Sequence, residues 1–327
     1  MPSKTSDYAD SQVSAVLESR PAPAPKAPAI EPLPDFDWKI TPPMKLRPFK
    51  PTYNITMAIQ NSNPSDLIVM DSNYLDRVTA RRALIAEHTS AVHGAIPSGH
   101  APVAELYSYL LGTYLPARYP TMFELITSTD TATATTTTVF RNKMLRLLGE
   151  TVEDDMFLLL RDGDEHRAVA FVCCHPSGFA PAAKLGRRLA EIHAPVPAYE
   201  KIGPSMERYF RRLEVGSPVK RMNWAIQTHS QLYAPNGNHV LDEDVVEEEA
   251  SIDVQEARFR VEQQTLTRLP ETGAILFSFK TLLYPLADIK AEGLGPQLAN
   301  AIEGLKAGNA PGMWVYKGGV RWGRAML

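Results

Sequence analysis

One histidine of this chain combines a reactive side chain with a sequence pattern that predicts a buried position. Leu185, Leu189 and Ile192 are spaced as one apolar stripe of an amphipathic helix. His193 follows Leu189 by four residues and therefore falls on the same stripe. An imidazole on the inward face of a helix can be a neutral core residue, an acid or base, or a metal ligand. The pattern by itself leaves these three roles open.

The remaining cysteine and histidine side chains offer weaker candidates for such chemistry. Cys173 and Cys174 are the only cysteines, and as neighbours on a strand they would form only a strained disulfide. Two cysteines also exclude a four-cysteine iron–sulfur or zinc centre within the chain. His175 follows the same predicted strand as a polar strand-end residue, and His229 is expected on an exposed loop. No positive charge near Cys174 in the sequence would stabilise a ligating thiolate.

Composition and motifs exclude several classes of function. The net charge of -3 over 327 residues, without a basic stretch interleaved with aromatic residues, argues against nucleic-acid binding. No apolar run reaches about 18 residues, so no membrane span is predicted. The N-terminus has no apolar secretory core, which makes a cytoplasmic location the expectation. The motifs GxxxxGK[ST], HExxH, GxSxG and CxxCH are absent, which excludes the corresponding nucleotide, protease, hydrolase and c-type haem sites.

The pattern of elements predicts an α+β fold. Residues 1–45 are rich in proline and alanine and predict a disordered arm, whereas residues 46–327 predict a single domain. Helices are predicted over 72–88, 102–115, 185–193, 205–213 and 295–306, with a glycine-rich tail after them, and strands over 156–160, 168–174, 219–228, 256–266 and 274–284. This order does not alternate strand and helix, so it favours an antiparallel sheet with helices on one face. The low-complexity run 127–138 and the acidic cluster 242–249 are interpreted as loops.

Several short blocks, taken in order, resemble the α subunit of haem-dependent oxidative N-demethylase and its relatives. The resemblance covers residues 47–285. The blocks are Arg47-Pro48-Phe49, Thr56-Met57, Asp71 and Tyr74, Arg118-Tyr119-Pro120, Pro176-Ser177-Gly178, Lys184 and Gly186, Ile192-His193, Pro195-Val196-Pro197, Arg221 with Asn223-Trp224, Arg260, Gln264-Thr265-Leu266, Arg268-Leu269-Pro270 and Thr272-Gly273. Two places depart from the family pattern, which usually has Glu-Arg-Gln at Glu262-Gln263-Gln264 and Arg-Thr-Tyr at Lys280-Thr281-Leu282. The resemblance implies haem as the cofactor and dimethylamine as the substrate. Because of these two departures, it supports the cofactor more strongly than the substrate.

The resemblance implies a PAS-like antiparallel sheet with helices packed on it, flanked by additional helices, around a b-type haem. In such a domain His193 would be the ligand of the haem iron. The resemblance also gives candidates for binding the haem propionates and packing on the macrocycle, namely Arg118, Lys184, Arg221, Arg260, Arg268 and Trp224. Glu262, Lys280 and Tyr199 are the candidates for acid–base catalysis.

These implications lead to one main hypothesis of function and two alternatives. The main hypothesis is a haem-dependent oxygenase that uses O₂ to oxidise an N-methyl or related C–H group of a small amine or secondary metabolite. Because the chain has no flavin or nicotinamide motif, a separate reductase partner would supply the electrons. The alternatives are a haem-binding PAS-type sensor or other non-catalytic ligand-binding module, and a PAS-like protein without haem in which His193 packs in the core.

Overall fold

The structure of the chain is a computed structural model. It describes residues 28–124, 137–241, 244 and 252–327, with side chains described for all of these except 137–142. The low-complexity run and the acidic cluster noted above lie almost entirely outside the described residues.

A seven-stranded antiparallel sheet forms the centre of the molecule. In chain order its strands are β1 Gln60–Asn61, β2 His93–Ala95, β3 Asp155–Asp162, β4 Glu165–Val172, β5 Val219–Gln227, β6 Arg258–Arg268 and β7 Ile275–Pro285. They lie side by side in the order β1-β5-β6-β7-β3-β4-β2, so the short strands β1 and β2 form the two edges. The five long strands match the five predicted strands to within a few residues. The predicted antiparallel sheet is therefore confirmed.

The hairpin β6–β7 fixes which side chains face the same side of the sheet. Glu262 pairs with Thr281, Gln264 pairs with Phe279, and Leu266 pairs with Phe277. Because side chains alternate along a strand, the odd-numbered residues of β6 and the even-numbered residues of β7 lie on the opposite face. This alternation decides which predicted site residues can meet.

Helices cover both faces of the sheet, whereas the sequence favoured one face. They are α1 Tyr74–His88, α2 His100–Tyr109, α3 Leu115–Arg118, α4 Thr137–Thr151, α5 Leu189–Ile192, α6 Gly203–Arg212, α7 Leu286–Ala291, α8 Gly295–Glu303, α9 Met313–Tyr316 and α10 Gly319–Met326. Leu106 of α2 and Leu148 of α4 pack with Leu158 of β3, while Phe210 of α6 packs with Leu159 on the other face. Neighbouring residues of β3 are both buried, which explains why two layers of helix are needed.

The helix that carries His193 is much shorter than predicted. Leu185 has an extended backbone and Gly186 is left-handed at φ 78°, so no helix passes through these residues. The helix α5 begins only at Leu189, where the Arg188 backbone N–H is capped by Glu191, and His193 ends it as its C-cap. The residues after Lys306, expected to be a glycine-rich tail, form the helices α9 and α10 instead.

Part of the predicted N-terminal arm lies within the described residues and packs against the domain. Phe36 contacts Tyr119 with ring centroids 4.7 Å apart, and Trp38 contacts Tyr74 edge to face. The Leu33 N–H donates to the carbonyl oxygen of Arg118 at 2.8 Å. These contacts bury apolar area, so residues 28–45 belong structurally to the domain.

Candidate functional site

A cavity of about 280 Å³ lies between one face of the sheet and the elements that follow β4. This volume is close to the lower end of the usual range for small-molecule sites. Its lining is mainly apolar and includes Ile55, Met57, Ile59, Phe157, Leu159, Phe179, Leu189, Ile192, Val196, Ile202, Met206, Phe210, Leu266, Phe277, Phe279 and Met313. The strands β5 and β6 contribute the polar side chains of the sheet face. A mainly apolar cavity with a few convergent polar groups is typical of a cofactor or substrate site.

His193 lines this cavity and is held in one orientation by its neighbours. Its Nδ1 lies 2.8 Å from the carbonyl oxygen of Leu189, and its ring stacks on Tyr199 at 4.7 Å with only 6° between the planes. A ring nitrogen bound to a backbone carbonyl carries the proton, which leaves the Nε2 lone pair available. Burial lowers the pKa of His193, although the Leu189 hydrogen bond partly opposes this effect. The imidazole is therefore neutral at physiological pH, as a metal ligand must be.

Arg221 on β5 is a cavity cation whose guanidinium meets no acceptor among the residues that the structure describes. Its Nε is buried without a hydrogen-bond partner, and the side chain forms no ion pair with any residue in the described part of the chain. Burial lowers the pKa of Arg221, an effect that Tyr53 and Glu262 oppose. Unpaired buried guanidinium groups are costly. The arrangement therefore fits a bound anion such as a carboxylate.

Three other predicted site residues reach the cavity with partners of their own. Arg260 donates to the carbonyl oxygen of His175 at 2.6 Å and lies 3.8 Å from a carboxylate oxygen of Glu262. Glu262 accepts from Gln264 at 3.0 Å. Lys184 donates to the carbonyl oxygen of Ile192 at 3.0 Å, and burial lowers its pKa.

The predicted aromatic residues also line the cavity. Trp224 is almost fully buried and contacts Phe259 at 5.6 Å between ring centroids. Tyr199 stacks on His193, as described above, and burial raises its pKa to about 12. Tyr199 thus keeps its phenol proton at neutral pH, which suits a hydrogen-bond donor better than a base.

The structure does not bring Arg118, Arg268 and Lys280 to the cavity. Arg118 binds the carbonyl oxygen of Glu31 and the carboxylate of Asp66. Arg268 donates to three backbone carbonyls around the end of α6 and the β6–β7 turn. Lys280 follows Phe279 on β7 and therefore points away from the cavity face. The first two tie the chain together, and Lys280 belongs to a separate cluster.

That cluster is a set of buried charges at the start of β3. The Nζ of Lys280 lies 2.7 Å from Asp71 and 3.1 Å from Glu153. Arg81 contacts Asp155 at 2.5 Å with both side chains fully buried. These ion pairs join α1, β3 and β7 through the core.

The competing ligand candidates do not meet the needs of a metal site. His175 is buried beside the charge cluster and outside the cavity lining, although its Nε2 has no partner among the described residues. Burial raises the pKa of Cys174 to about 11, so a thiolate ligand is disfavoured. His229 accepts from the Gln231 N–H and lies outside the lining. Within the described ranges no group of three or more His, Cys, Asp or Glu side chains could hold a metal ion.

Two cavity residues, Lys317 and His239, were not among the sequence candidates. Lys317 is buried and donates to Asn223 and to the carbonyl oxygen of Trp224. His239 stacks on Tyr316 at 4.3 Å, and burial lowers its pKa to about 3. Both come from segments without strong periodicity, so no pattern in the sequence indicated them.

The Pro176-Ser177-Gly178 block, which is part of the family resemblance, packs against Asn238 and His239. Gly178 is left-handed at φ 69°, and a Cβ there would lie 2.7 Å from Nδ1 of His239. Asn238, the residue before His239, donates to Ser177 at 3.0 Å. The block thus holds the His239 imidazole at the cavity wall.

These features define an α+β domain with a preformed, mainly apolar cofactor or substrate cavity that contains neutral imidazoles and an unpaired guanidinium. Comparison with known protein families gives a match over residues 58–327 to the family described as haem-dependent oxidative N-demethylase, alpha subunit-like. The chain belongs to this family. As its name states, the family is one of haem-dependent oxidative enzymes. No helix of the described residues is both long and apolar enough to cross a membrane.

Proposed function

We propose that the chain binds a b-type haem in this cavity and acts as a haem-dependent oxygenase on the N-methyl or a related C–H group of a small molecule. The observation that carries the proposal is the geometry of His193. Its Nδ1 donates to the Leu189 carbonyl oxygen and its neutral ring lines the cavity, so the Nε2 lone pair could bind a metal ion. Such a backbone-bound imidazole is the usual protein arrangement for a metal-ligating histidine.

The other cavity residues fit the same cofactor. Arg221 provides a guanidinium without an acceptor in the described part of the chain, which suits a propionate carboxylate. Lys184 lies close enough to influence His193 electrostatically and could serve the second propionate. The apolar lining would exclude water from the macrocycle. Trp224 pairs with Val261 and packs with Phe259 on the opposite face of the sheet, so its proposed contact with the macrocycle receives no support from its position. The propionate role for Arg118 and Arg268 receives no support from their positions.

When bound, the haem supplies oxygen activation for the oxidation of the C–H group. The residues of the chain would fix the cofactor through His193, balance its charge through Arg221, and keep a substrate in an apolar space. Glu262 and Tyr199 remain the proposed acid–base residues because both line the cavity. Electrons would come from a separate reductase, and the substrate would be a small amine or secondary metabolite.

We also propose that the sheet is the PAS-like sheet implied by the sequence. Support comes from the order of the five long antiparallel strands. The first of these five, β3, lies between the second, β4, and the last, β7. The helices α5 and α6 enclose the cavity against one face of these strands.

The experiment that tests the haem site is the visible absorption spectrum of the purified, haem-supplemented protein. The wild type and His229→Ala, a control outside the cavity, should show a Soret band that shifts on reduction and on addition of CO. His193→Ala should lose that band. A wild type without a Soret band would refute the haem site and favour a ligand-binding module. A band that persists in His193→Ala but disappears in His239→Ala would move the ligand to the second imidazole of the cavity.

A second measurement separates an enzyme from a haem sensor. Formaldehyde release from dimethylamine and from N-methylated amino acids should be assayed with a chemical reductant and O₂. Formaldehyde release that requires haem and His193 supports the oxygenase. A normal haem spectrum without release from any N-methyl compound favours the sensor or binding module.

A further inference from the structure

Lys317 is a buried ammonium group that pairs with none of the carboxylates in the described part of the chain. Only 3% of its surface is exposed, and none of the carboxylates that the structure describes lies within ion-pair distance of its Nζ. The Nζ donates to Oδ1 of Asn223 at 3.1 Å and to the carbonyl oxygen of Trp224. It also lies 5.6 Å from the ring centroids of both Tyr53 and Trp224. A buried charge held only by neutral acceptors and aromatic rings is costly.

Lys280 provides a contrast within the same chain. It is equally buried, but Asp71 and Glu153 lie within 3.1 Å of its Nζ, and it does not line the cavity. These carboxylates raise the pKa of Lys280 despite its burial. Lys280 therefore remains charged and structural, whereas Lys317 has the features of a lysine that can lose its proton.

The hydrogen bonds of Lys317 are compatible with both protonation states. An ammonium group has three donors, and the two acceptors described above use two of them. The third N–H has no acceptor among the residues that the structure describes, and Lys317 lines the cavity. A neutral amine could keep both hydrogen bonds and hold its lone pair in the place of the third N–H. The side chain could thus exchange one proton with a molecule in the cavity without moving.

The charged and titratable groups around Lys317 favour this exchange near neutral pH. Burial lowers the pKa of Lys317 to about 8, with Glu262 opposing and Arg221 assisting the decrease. His239 is neutral, and burial raises the pKa of Tyr53 and raises that of Tyr316 to about 12, so these three add no compensating charge. An acid or base with a pKa near the working pH is the most effective in proton transfer.

We propose that Lys317 is the proton-transferring residue of the cavity and that it touches the molecule bound there. This inference rests on the proposed function above, in which Glu262 and Tyr199 were the only acid–base candidates. The Lys317 ammonium group gives one proton to an acceptor atom of the bound molecule and becomes a neutral amine. It regains the proton from water after product release, so the residue is unchanged over a cycle.

The first test needs neither haem nor substrate and measures the amine directly. The haem-free protein is treated with formaldehyde and cyanoborohydride from pH 6 to pH 10, and methylation of each lysine is measured by mass spectrometry. A neutral lysine amine condenses with formaldehyde to an imine and water, and hydride from cyanoborohydride reduces the C=N bond to an N-methyl group. Lys317 should react with a midpoint near pH 8, well below that of N-acetyl-lysine amide. Lys280 is the buried internal control and should remain unmodified.

A Lys317 that is unreactive, or that titrates like the reference amide, would overturn the proposal whatever the haem spectrum shows. The absence of a Soret band, by contrast, would refute the proposed haem function without affecting the labelling result. The two failures are therefore distinguishable.

The second test uses the haem-loaded protein with dimethylamine as the probe substrate. Lys317→Arg keeps a positive charge that does not dissociate, and Lys317→Met removes the charge. Both variants should keep the Soret band, because Lys317 is not the proposed ligand, and both should lose about 100-fold or more in formaldehyde release. The exposed Lys290→Met serves as the control and should match the wild type.

The pH profile separates proton transfer from a structural role. In the wild type, the rate of formaldehyde release should fall as the pH rises through an apparent pKa near 8, because Lys317 gives the proton in its charged form. This fall should be absent from the residual activity of Lys317→Arg. Rescue of activity to within threefold of the wild type by Lys317→Arg would show that charge alone suffices, which would overturn the proposal. If the wild type releases no formaldehyde from the probe, the labelling experiment decides.

Discussion

The carboxyl group of Asp154 should make the stability of this protein depend on pH in an unusual direction. Asp154 precedes β3, is buried beside Lys280, and its Oδ2 has no hydrogen-bond partner among the described residues. Burial raises its pKa from about 3.8 to about 7, despite the opposing effect of Lys280. A carboxyl group whose pKa is higher in the folded state favours folding when protonated. Its contribution is complete below the unfolded pKa and is lost as the pH rises through the folded pKa.

The magnitude follows from the two pKa values. Each pH unit between them corresponds to about 1.4 kcal/mol, so the ionised group costs roughly 4 kcal/mol above pH 7 and roughly 1.5 kcal/mol at pH 5. The variant Asp154→Asn cannot ionise and should lack this cost. The free energy of unfolding of the variant relative to the wild type should therefore increase by about 2 to 3 kcal/mol between pH 5 and pH 8.5.

Urea unfolding of the haem-free protein at a series of pH values measures this difference. The buried histidines titrate in both proteins alike, so their contributions cancel in the comparison. Asp288→Asn, an exposed substitution in α7, is the matched control for replacing a carboxylate by an amide. Parallel stability curves for the wild type and Asp154→Asn over this range would refute the argument, because they would mean that Asp154 titrates alike in both states.

Three further predictions test the contributions of buried groups and of Gly178. Arg81→Met should cost about 3 to 5 kcal/mol of unfolding free energy in urea, because it leaves the buried Asp155 carboxylate unpaired, and a cost below 1 kcal/mol would contradict this ion-pair assignment. Lys280→Met should cost a similar amount, because it leaves Asp71 and Glu153 unpaired. Lys317→Met leaves none of the described carboxylates unpaired and should be neutral within about 1 kcal/mol or stabilising; equal costs would remove the contrast between the two lysines. Gly178→Ala should destabilise the protein and weaken haem retention more than Gly163→Ala, since both glycines are left-handed but only a Cβ at Gly178 meets the His239 ring; equal losses would reduce the effect to backbone strain.

The long strands and the helix α1 could be predicted from their sequence patterns, whereas the equally long helix α4 was missed. The strands β6 and β7 each have eleven residues, many of them β-branched or aromatic, and a tight turn joins them, which makes them recognisable as a hairpin. The helix α1 has its predicted position because its apolar spacing extends over four turns. The elements that enclose the cavity are shorter, and here the predictions were weaker. A one-turn helix such as α5 has too few residues for periodicity to define its start.

The position of His193 was predicted more successfully than the helix that carries it. The helix was predicted to begin at Leu185, but Leu185 is extended and Gly186 is left-handed, so neither residue is helical. The one remaining turn, from Leu189 to His193, still directs Leu189, Ile192 and His193 to the cavity. The i to i+4 relation between Leu189 and His193 was sufficient, because it also places Nδ1 of His193 beside the Leu189 carbonyl.

The two buried lysines show why site residues on a sheet require register as well as sequence. Lys280 follows the cavity residue Phe279, so strict alternation places it on the opposite face, where Asp71 and Glu153 pair with it. This exclusion could have been made from the sequence once β7 was assigned. Lys317 ends a one-turn helix in a segment without periodicity, and only the fold brings it to Asn223 and Trp224. Lys280 is charged and structural, whereas Lys317 is proposed to titrate. The difference in their protonation depends on which described carboxylates lie near each amine, and the position of a lysine in the sequence does not reveal this.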